Sequence, residues 1–249
     1  MKRYRLHFSL VAVLFLSFPQ HLCCAEPDTL FILDASKESL SSLPEGWKNI
    51  LPKNHRMFSN YSIERSIDGP YLRARSNAAA SQLELDVAGI DVREYTTLTW
   101  LWKVDIFPET GFEKDPTFDD FALRLELVYD FEGSARNPIN LIRKGLITSL
   151  FKGYPPELIV SYVWSINVPS GSSYASPNSQ RTMIIPIQSN NIIKSRWIRE
   201  RRNIAEDLAR FDNKRNLSLK KIRIISDTDH TGTFADGGIQ YLYLLRDAE

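Results

Sequence analysis

The chain has 249 residues, of which 43% are hydrophobic and 24% are charged, a balance typical of folded globular proteins. Lys and Arg total 31 against 30 Asp and Glu, so the two signs of charge nearly cancel. This composition excludes a disordered tail and a collagen-like repeat.

The first 25 residues predict a secretory signal peptide. Three basic residues occur within the first five, the run 6–18 is almost wholly apolar, and Cys23-Cys24-Ala25 offers small residues for signal peptidase. The apolar run is shorter than the roughly 20 residues that span a bilayer. We therefore predict that residues 1–25 are removed, that residues 26–249 form one domain, and that no transmembrane segment is left.

Removal of this segment changes the chemistry available to the mature chain. It takes away both cysteines, two of the four histidines and three basic residues, but no acidic residue. The mature chain would have no thiol and a slight net negative charge. We therefore exclude disulfides, thiolate nucleophiles, cysteine-based zinc sites and a nucleic acid partner.

Alternation of apolar and polar residues dominates the remaining chain and predicts short strands. They are expected at 61–67, 83–87, 98–104, 121–131, 158–165, 181–187, 192–200, 219–226 and 238–245. Asp68-Gly69 favours a hairpin turn after the first strand. Trp100 and Trp102 share one face and indicate core. Short strands separated by turns predict a mainly β, antiparallel sandwich rather than βαβ units.

One or two short helices interrupt the strand pattern. Asn203, with Glu206 three residues later, forms a capping-box signal for the first helix. An apolar stripe at helical spacing predicts a second helix over about 138–150. Residues 166–180, rich in Ser, Pro, Gly and Asn, predict a long loop, an element that often binds ligands.

The string Asp227-Thr-Asp-His-Thr-Gly232 allows two interpretations. Asp227, Asp229 and Thr231 match the first half of a calcium loop, so calcium is a candidate cofactor. The second half lacks the bidentate Glu, and no helices flank the loop. The other interpretation is a turn in which Asp and Thr side chains accept hydrogen bonds from backbone N–H groups. Separately, His230 is a candidate acid–base partner for a neighbouring Asp.

Charged residues of both signs mark a second candidate site. Asp120, Arg124 and Glu126 are predicted to project from one strand face, and Lys103 from a neighbouring strand. Planar groups of both signs can hold a sugar or a carboxylate. The alternative is an ordinary outer face in solvent with weak cross-strand pairs.

Five basic residues with a tryptophan among them occupy the stretch 194–202. Such a stripe can meet an anionic polysaccharide or a lipid head group. An edge strand whose charges resist aggregation explains the stripe as well and is the more usual case.

The order of several short motifs resembles the domain of unknown function 3047 family. The motifs are Trp100-Leu-Trp-Lys-Val104, Asp119-Asp-Phe-Ala-Leu-Arg124, Tyr162-Val-Trp164, Arg202-Asn-Ile-Ala-Glu-Asp207 and Ile225-Ser-Asp-Thr-Asp-His-Thr231. The resemblance implies a bacterial exported protein in the periplasm or outside the cell. It also implies a jelly-roll-like sandwich similar to carbohydrate-binding modules and galactose-binding-like domains, with no assigned reaction.

Three hypotheses for the function follow. The leading one is a non-catalytic binder of a glycan or another polar component of the cell envelope. The predicted ligand contacts are Asp119, Asp120, Arg124, Lys103 and Trp164. The alternatives are a polysaccharide hydrolase or lyase that uses paired carboxylates, and a structural envelope protein.

Overall fold

The computed structural model describes residues 28–51, 57–109, 111–131, 156–190 and 192–246. Its strands are β1 (Thr29–Asp34), β2 (Lys48–Ile50), β3 (Asn60–Ser66), β4 (Gly69–Asn77), β5 (Ala80–Asp86), β6 (Thr97–Ile106), β7 (Arg124–Phe131), β8 (Leu158–Ser165), β9 (Tyr174–Ser176), β10 (Ser179–Ser189), β11 (Ile198–Asn203), β12 (Leu217–Asp227) and β13 (Phe234–Leu245). Within these ranges the α-helix is α1 (Ile204–Phe211), and short 3-10 helices lie at Ala35–Lys37 and Pro116–Phe118. The predicted signal peptide and the predicted helix at 138–150 lie outside the described residues.

The strands form two sheets around a shared apolar core. The first sheet has the order β11-β6-β13-β4-β3, with β1 also paired to β13, and the second has the order β2-β5-β12-β7-β8-β10-β9. Side chains from both sheets join one buried cluster. The predicted mainly β, jelly-roll-like sandwich is therefore confirmed.

One strand pair departs from the predicted antiparallel arrangement, because β8 and β10 are parallel. After β8 the chain passes to β9 at the edge of the second sheet and turns back into β10. β10 therefore runs in the same direction as β8. The segment predicted as a long loop at 166–180 thus contains β9 and the start of β10.

The tryptophans predicted as core lie at its centre. Trp100 and Trp102 are fully buried and meet edge to face, with 5.5 Å between ring centroids. Tyr162 of the second sheet stacks on Trp100 at 5.5 Å, and Trp164 packs against Trp102 at 5.8 Å. Aromatic contacts across the sandwich thus hold the two sheets together.

Local signals set the boundaries of several elements. β3 and β4 form the hairpin expected at Asp68-Gly69, where Gly69 has a positive φ of 110°. The Asn203 side chain accepts a hydrogen bond from the Glu206 N–H at 3.0 Å, as the capping signal predicts. The strand expected at 192–200 begins only at Ile198, because Ser195 adopts a left-handed conformation with φ of 61°.

Among the described residues, no helix has the length and hydropathy required to cross a bilayer.

Candidate ligand-binding site

The outer face of the second sheet, which points away from the core, carries a row of charged side chains. Alternation along β7 puts Leu125 and Leu127 in the core and leaves Arg124 and Glu126 on the outer face. The register places Arg223 of β12 opposite Glu126. Three neighbouring strands thereby align carboxylates and guanidinium groups on one surface.

Ion pairs connect this row from strand to strand. The Glu84 carboxylate on β5 accepts from Lys221 Nζ at 2.5 Å and from Arg223 Nε at 2.9 Å. The other end of Arg223 lies 3.7 Å from the Glu126 carboxylate. Burial raises the pKa of Glu126, although the charges of Arg124 and Arg223 oppose that rise. The ion pairs therefore hold these side chains in place, and their positive and negative charges nearly cancel.

Arg124 lies at the buried end of the site. Its Nη2 donates to Asp119 Oδ1 at 3.0 Å and to Asp227 Oδ2 at 2.9 Å, and also to the Asp119 carbonyl oxygen. The guanidinium packs over the Phe121 ring at 4.5 Å. Burial acts to lower the pKa of Arg124, but the attraction of Asp227 and Asp119 outweighs it and the pKa is raised. Arg124 therefore stays positively charged, and its hydrogen bonds hold the guanidinium in one position.

Asp227 ends β12 beside this guanidinium. Its Oδ1 also accepts from the backbone N–H of Phe121 at 3.0 Å. Burial raises its pKa to about 7, and the negative charges of Asp120 and Asp119 add to the rise while Arg124 opposes it. Asp227 is thus a carboxyl that gains or loses its proton near neutral pH.

A cavity of about 340 Å³ opens over these groups. Its charged and polar lining includes Gln82, Asp119, Arg124, Glu126, Asn178, Thr182, Arg223, Asp227 and His230. Ser176 at the end of β9 and Asn178 in the turn after it fix Asp119 Oδ2, since Ser176 Oγ lies at 3.3 Å and Asn178 Nδ2 at 3.1 Å. The site therefore combines hydrogen-bond donors and acceptors that are already held in position.

The structure brings two of the five predicted ligand contacts together and leaves Asp120, Lys103 and Trp164 outside the cavity. Asp119, Arg124 and Asp227, the last of which was assigned to calcium, lie in direct contact. Lys103 belongs to β6 of the first sheet and pairs with Asp105 at 2.8 Å. Lys103 is therefore not part of this cavity, because β6 and β7 lie in different sheets.

Trp164 is not available to a ligand at this site. It is 1% exposed, points into the core, and donates its indole N–H to the Asn190 carbonyl oxygen at 3.0 Å. The expectation of a solvent-exposed outer face is also wrong at Arg124 and Glu126, since each is 6% exposed. Asn178 of the turn before β10 and His230 of the turn after β12 line this part of the face.

The segment 227–232, which resembles half of a calcium loop, forms a turn that is held in place by side-chain hydrogen bonds. Asp120 is fully buried, and its Oδ2 accepts from the Thr231 N–H at 2.7 Å and from the Thr231 hydroxyl at 2.6 Å. Its Oδ1 lies 3.3 Å from His230 Nδ1. Asp227 bonds Arg124 instead of completing a ligand set with Asp229 and Thr231. These contacts favour the turn interpretation.

A different trio has the spacing of metal ligands. Oxygen or nitrogen atoms of Asp120, Asp229 and His230 lie within 4.8 Å of one another. Both Asp120 oxygens already accept hydrogen bonds from the turn. The trio is thus accounted for by the turn that it builds, and we assign no metal to it.

Arg223, Ser176 and Asn178 were not predicted as site residues. Arg223 occupies an outward position of a predicted strand, so alternation alone could have indicated it. Ser176 and Asn178 lie in the segment predicted as a binding loop, but which of its side chains reach the sheet depends on the path of the loop.

Comparison with known proteins places the chain in a family. The profile described as "Protein of unknown function (DUF3047)" matches residues 45–243, which is most of the chain and confirms the resemblance seen in the motifs. No curated protein matches the chain.

Two solved structures are similar in fold. One is the family 11 carbohydrate-binding module of the cellulosomal cellulase Lic26A-Cel5E of Clostridium thermocellum, with 8% identity and a TM-score of 0.45, covering 90% of this chain and 98% of that chain. The other is endoglucanase 3 of Trichoderma harzianum, from family GH12, with 6% identity and a TM-score of 0.42, covering 89% and 99%. At these values, neither likeness indicates what this chain binds.

Proposed function

The chain belongs to the DUF3047 family, and since the description of that family names no activity, we propose from the geometry that it is a non-catalytic binder of a hydroxyl-rich ligand such as a glycan. The observation that carries the proposal is the cavity of about 340 Å³ over the ion-paired face of the second sheet. Its floor holds Arg124 between Asp119 and Asp227.

The chemistry of the cavity suits a neutral polar ligand. A sugar hydroxyl both donates and accepts hydrogen bonds, so it can bond a carboxylate and a guanidinium in the same site. Asp119 neutralises Arg124 and Glu84 neutralises Arg223, which leaves little net charge to attract an ion. A site whose polar groups are held in place before binding loses little entropy when the ligand arrives.

The same contacts argue against hydrolysis by paired carboxylates. Asp119 and Asp227 bond to one nitrogen of Arg124, so the guanidinium occupies the space between them. A glycosidase needs that space for the sugar bond that is cleaved. We therefore place binding ahead of catalysis.

One observation favours a hydrolase or lyase as the second candidate. Burial raises the pKa of Asp227 to about 7, so this carboxyl can hold a proton under mildly acidic conditions, and burial also raises the pKa of the neighbouring Glu126. A glycan that binds and is then shortened or shows a new unsaturated end would favour this candidate.

A glycan array followed by calorimetry on the best ligand tests the proposal. Asn178→Ala removes an exposed cavity side chain, and we expect affinity to fall about tenfold, the loss of one or two hydrogen bonds. The matched control is Asn60→Ala, an exposed asparagine on β3 of the first sheet, which should bind as the wild type does.

Two outcomes would contradict the proposal. Equal loss of affinity in both asparagine variants would place the ligand elsewhere. Absence of any glycan ligand would favour the third hypothesis, a structural envelope protein. Export to the periplasm or beyond, with removal of residues 1–25, also belongs to this proposal, and N-terminal sequencing of protein from separated cell fractions would check it.

A further inference from the structure

The outer face of the first sheet carries arginine and aromatic side chains that the proposed function does not use. We call it the arginine–tyrosine face and define it by Phe31, Trp197, Arg199, Arg201, Tyr241 and Tyr243. It lies on the side of the sandwich opposite the cavity, because the two outer faces point away from the shared core.

Strand register aligns these side chains in two parallel rows. Arg201 of β11 is opposite Thr99 of β6, which is opposite Tyr243 of β13, which is opposite Phe31 of β1. The adjacent row starts at Arg199 and continues through Leu101 to Tyr241. Positions two residues apart on a strand are about 6.8 Å apart, so the arginines repeat at that spacing along the sheet edge.

Among the residues that the structure describes, the cations of this edge have no acidic partner. Arg201 has no ion pair among the described residues, and neither have Lys194 and Arg196 in the turn before β11. Arg199 bonds a neutral group and, within the described ranges, no acidic one, since its Nε donates to the Tyr241 hydroxyl at 2.8 Å. By contrast Arg202, which points the other way, pairs with Asp207. This edge therefore presents an uncompensated positive charge on a protein whose other charges largely cancel.

The aromatic rings are packed against one another and are not free as flat platforms. Tyr241 and Tyr243 stack with centroids 5.5 Å apart, and Phe31 lies 5.5 Å from Tyr243. Their ring faces are therefore largely occupied. The Thr99 hydroxyl between Arg201 and Tyr243 has no hydrogen-bond partner in the described part of the chain.

We propose that the arginine–tyrosine face binds a linear acidic polysaccharide. A guanidinium matches a carboxylate with two parallel hydrogen bonds, and the two arginines would take carboxylates of the same polymer. Tyrosine hydroxyls beside them provide hydrogen bonds for sugar hydroxyl groups. The surface is thus complementary to a chain that alternates carboxylates and hydroxyls.

Two other polyanions fit the face less well. Single-stranded nucleic acid needs open aromatic faces on which bases stack, and these rings are occupied by their neighbours. An anionic membrane calls for protruding apolar side chains that enter the head-group layer, and Phe31 is the sole exposed ring in the two rows.

Affinity electrophoresis of the purified protein in gels that contain polygalacturonate tests this proposal, with dextran as the neutral comparison. We expect retardation by polygalacturonate alone, and salt should weaken it because bound cations displace counterions from the polymer. Arg199→Ser with Arg201→Ser should weaken binding about tenfold, as for the loss of two exposed charge contacts. Thermal melts of each protein confirm that the fold is kept.

The matched control is Lys48→Ser with Arg65→Ser. It removes the same number of exposed cations from β2 and β3, and these cations also lack an ion pair in the described part of the chain. This variant should bind polygalacturonate as the wild type does. Arg201→Gln alone serves as a milder variant in case the double variant unfolds, with a smaller loss in the same direction.

Several results would overturn the proposal. These are equal retardation of the wild type and the arginine variant, equal weakening by the lysine–arginine control, or no retardation of the wild type at all. Stronger binding to phosphatidylglycerol vesicles or to single-stranded DNA would reassign the face to those partners. Asn178→Ala leaves this face intact, so failure of the cavity proposal does not affect the result.

Discussion

The proton on Asp227 provides the sharpest test of the site. Its pKa rises from 3.8 to about 7 in the folded protein, first because the carboxyl is buried and then because Asp120 and Asp119 lie nearby. One pKa unit corresponds to about 1.4 kcal/mol, so the shift corresponds to about 4 kcal/mol. Between these two pKa values the folded state binds the proton more tightly than the unfolded state. The wild type therefore loses stability as pH rises from about 4 to about 7.

Asp227→Asn has no proton to lose at this position, so it isolates the effect. The free energy of unfolding of the variant minus that of the wild type should increase by about 4 kcal/mol between pH 4 and pH 8. Urea unfolding followed by tryptophan fluorescence at several pH values measures this difference. Groups that titrate in both proteins cancel in it.

Asp115→Asn is a control of opposite sign. Hydrogen bonds from the Thr117 backbone and side chain lower the pKa of this exposed carboxyl. Its ionised form therefore stabilises the fold. The free energy of unfolding of the wild type should thus increase relative to that of this variant as pH rises. A flat or decreasing difference for Asp227→Asn would refute the reasoning, because it would mean that Arg124 keeps Asp227 ionised in the folded protein.

Three substitutions test the supporting structure. Arg124→Met leaves two buried carboxylates without their cation and should lower the free energy of unfolding at pH 8 by about 3 kcal/mol or more. Urea titrations should show partial recovery of stability at acidic pH, whereas no change at pH 8 would mean that the ion pairs do not stabilise the fold. Gly238→Ala would place a Cβ in steric conflict with the Tyr71 ring and should lower the free energy of unfolding by about 1–3 kcal/mol in the same assay. Wild-type stability of this variant would contradict the close packing. Asn203→Ala removes the cap of α1 and should cost about 1 kcal/mol, seen as a lower melting midpoint; an unchanged midpoint would mean that the bond to Glu206 contributes nothing.

Features that depend on near neighbours in the chain were predictable from the sequence. The hairpin at Asp68-Gly69 follows from one dipeptide, and the helix start at Asn203 follows from two side chains three residues apart. Alternation identified Trp100 and Trp102 as core because their face is apolar throughout. Each of these signals acts within a few residues, so no knowledge of strand pairing is needed.

Predictions that required a strand's neighbours succeeded only in part. Arg124 and Glu126 do share one face, whereas Asp120 precedes β7 and bonds Thr231 in the turn after β12. The cavity over Arg124 and Glu126 is also lined by residues distant in sequence, such as Asn178 and His230. Lys103 was grouped with them because β6 precedes β7 in the chain, whereas the two strands belong to different sheets. Alternation says that a strand has two faces and does not say which strand lies beside it.

The sequence by itself determined that this is a mainly β chain with a tryptophan core, a capped helix and charged side chains of both signs on strand faces. Only the tertiary structure decided that Asp119 and Asp227, more than 100 residues apart, share one guanidinium, and that Arg199 and Arg201 lie on the opposite side of the sandwich beside tyrosines. Periodicity and capping are set by hydrogen bonds between near neighbours in the chain. Both candidate surfaces, in contrast, are assembled by pairing of distant strands, and the sequence records that pairing only weakly.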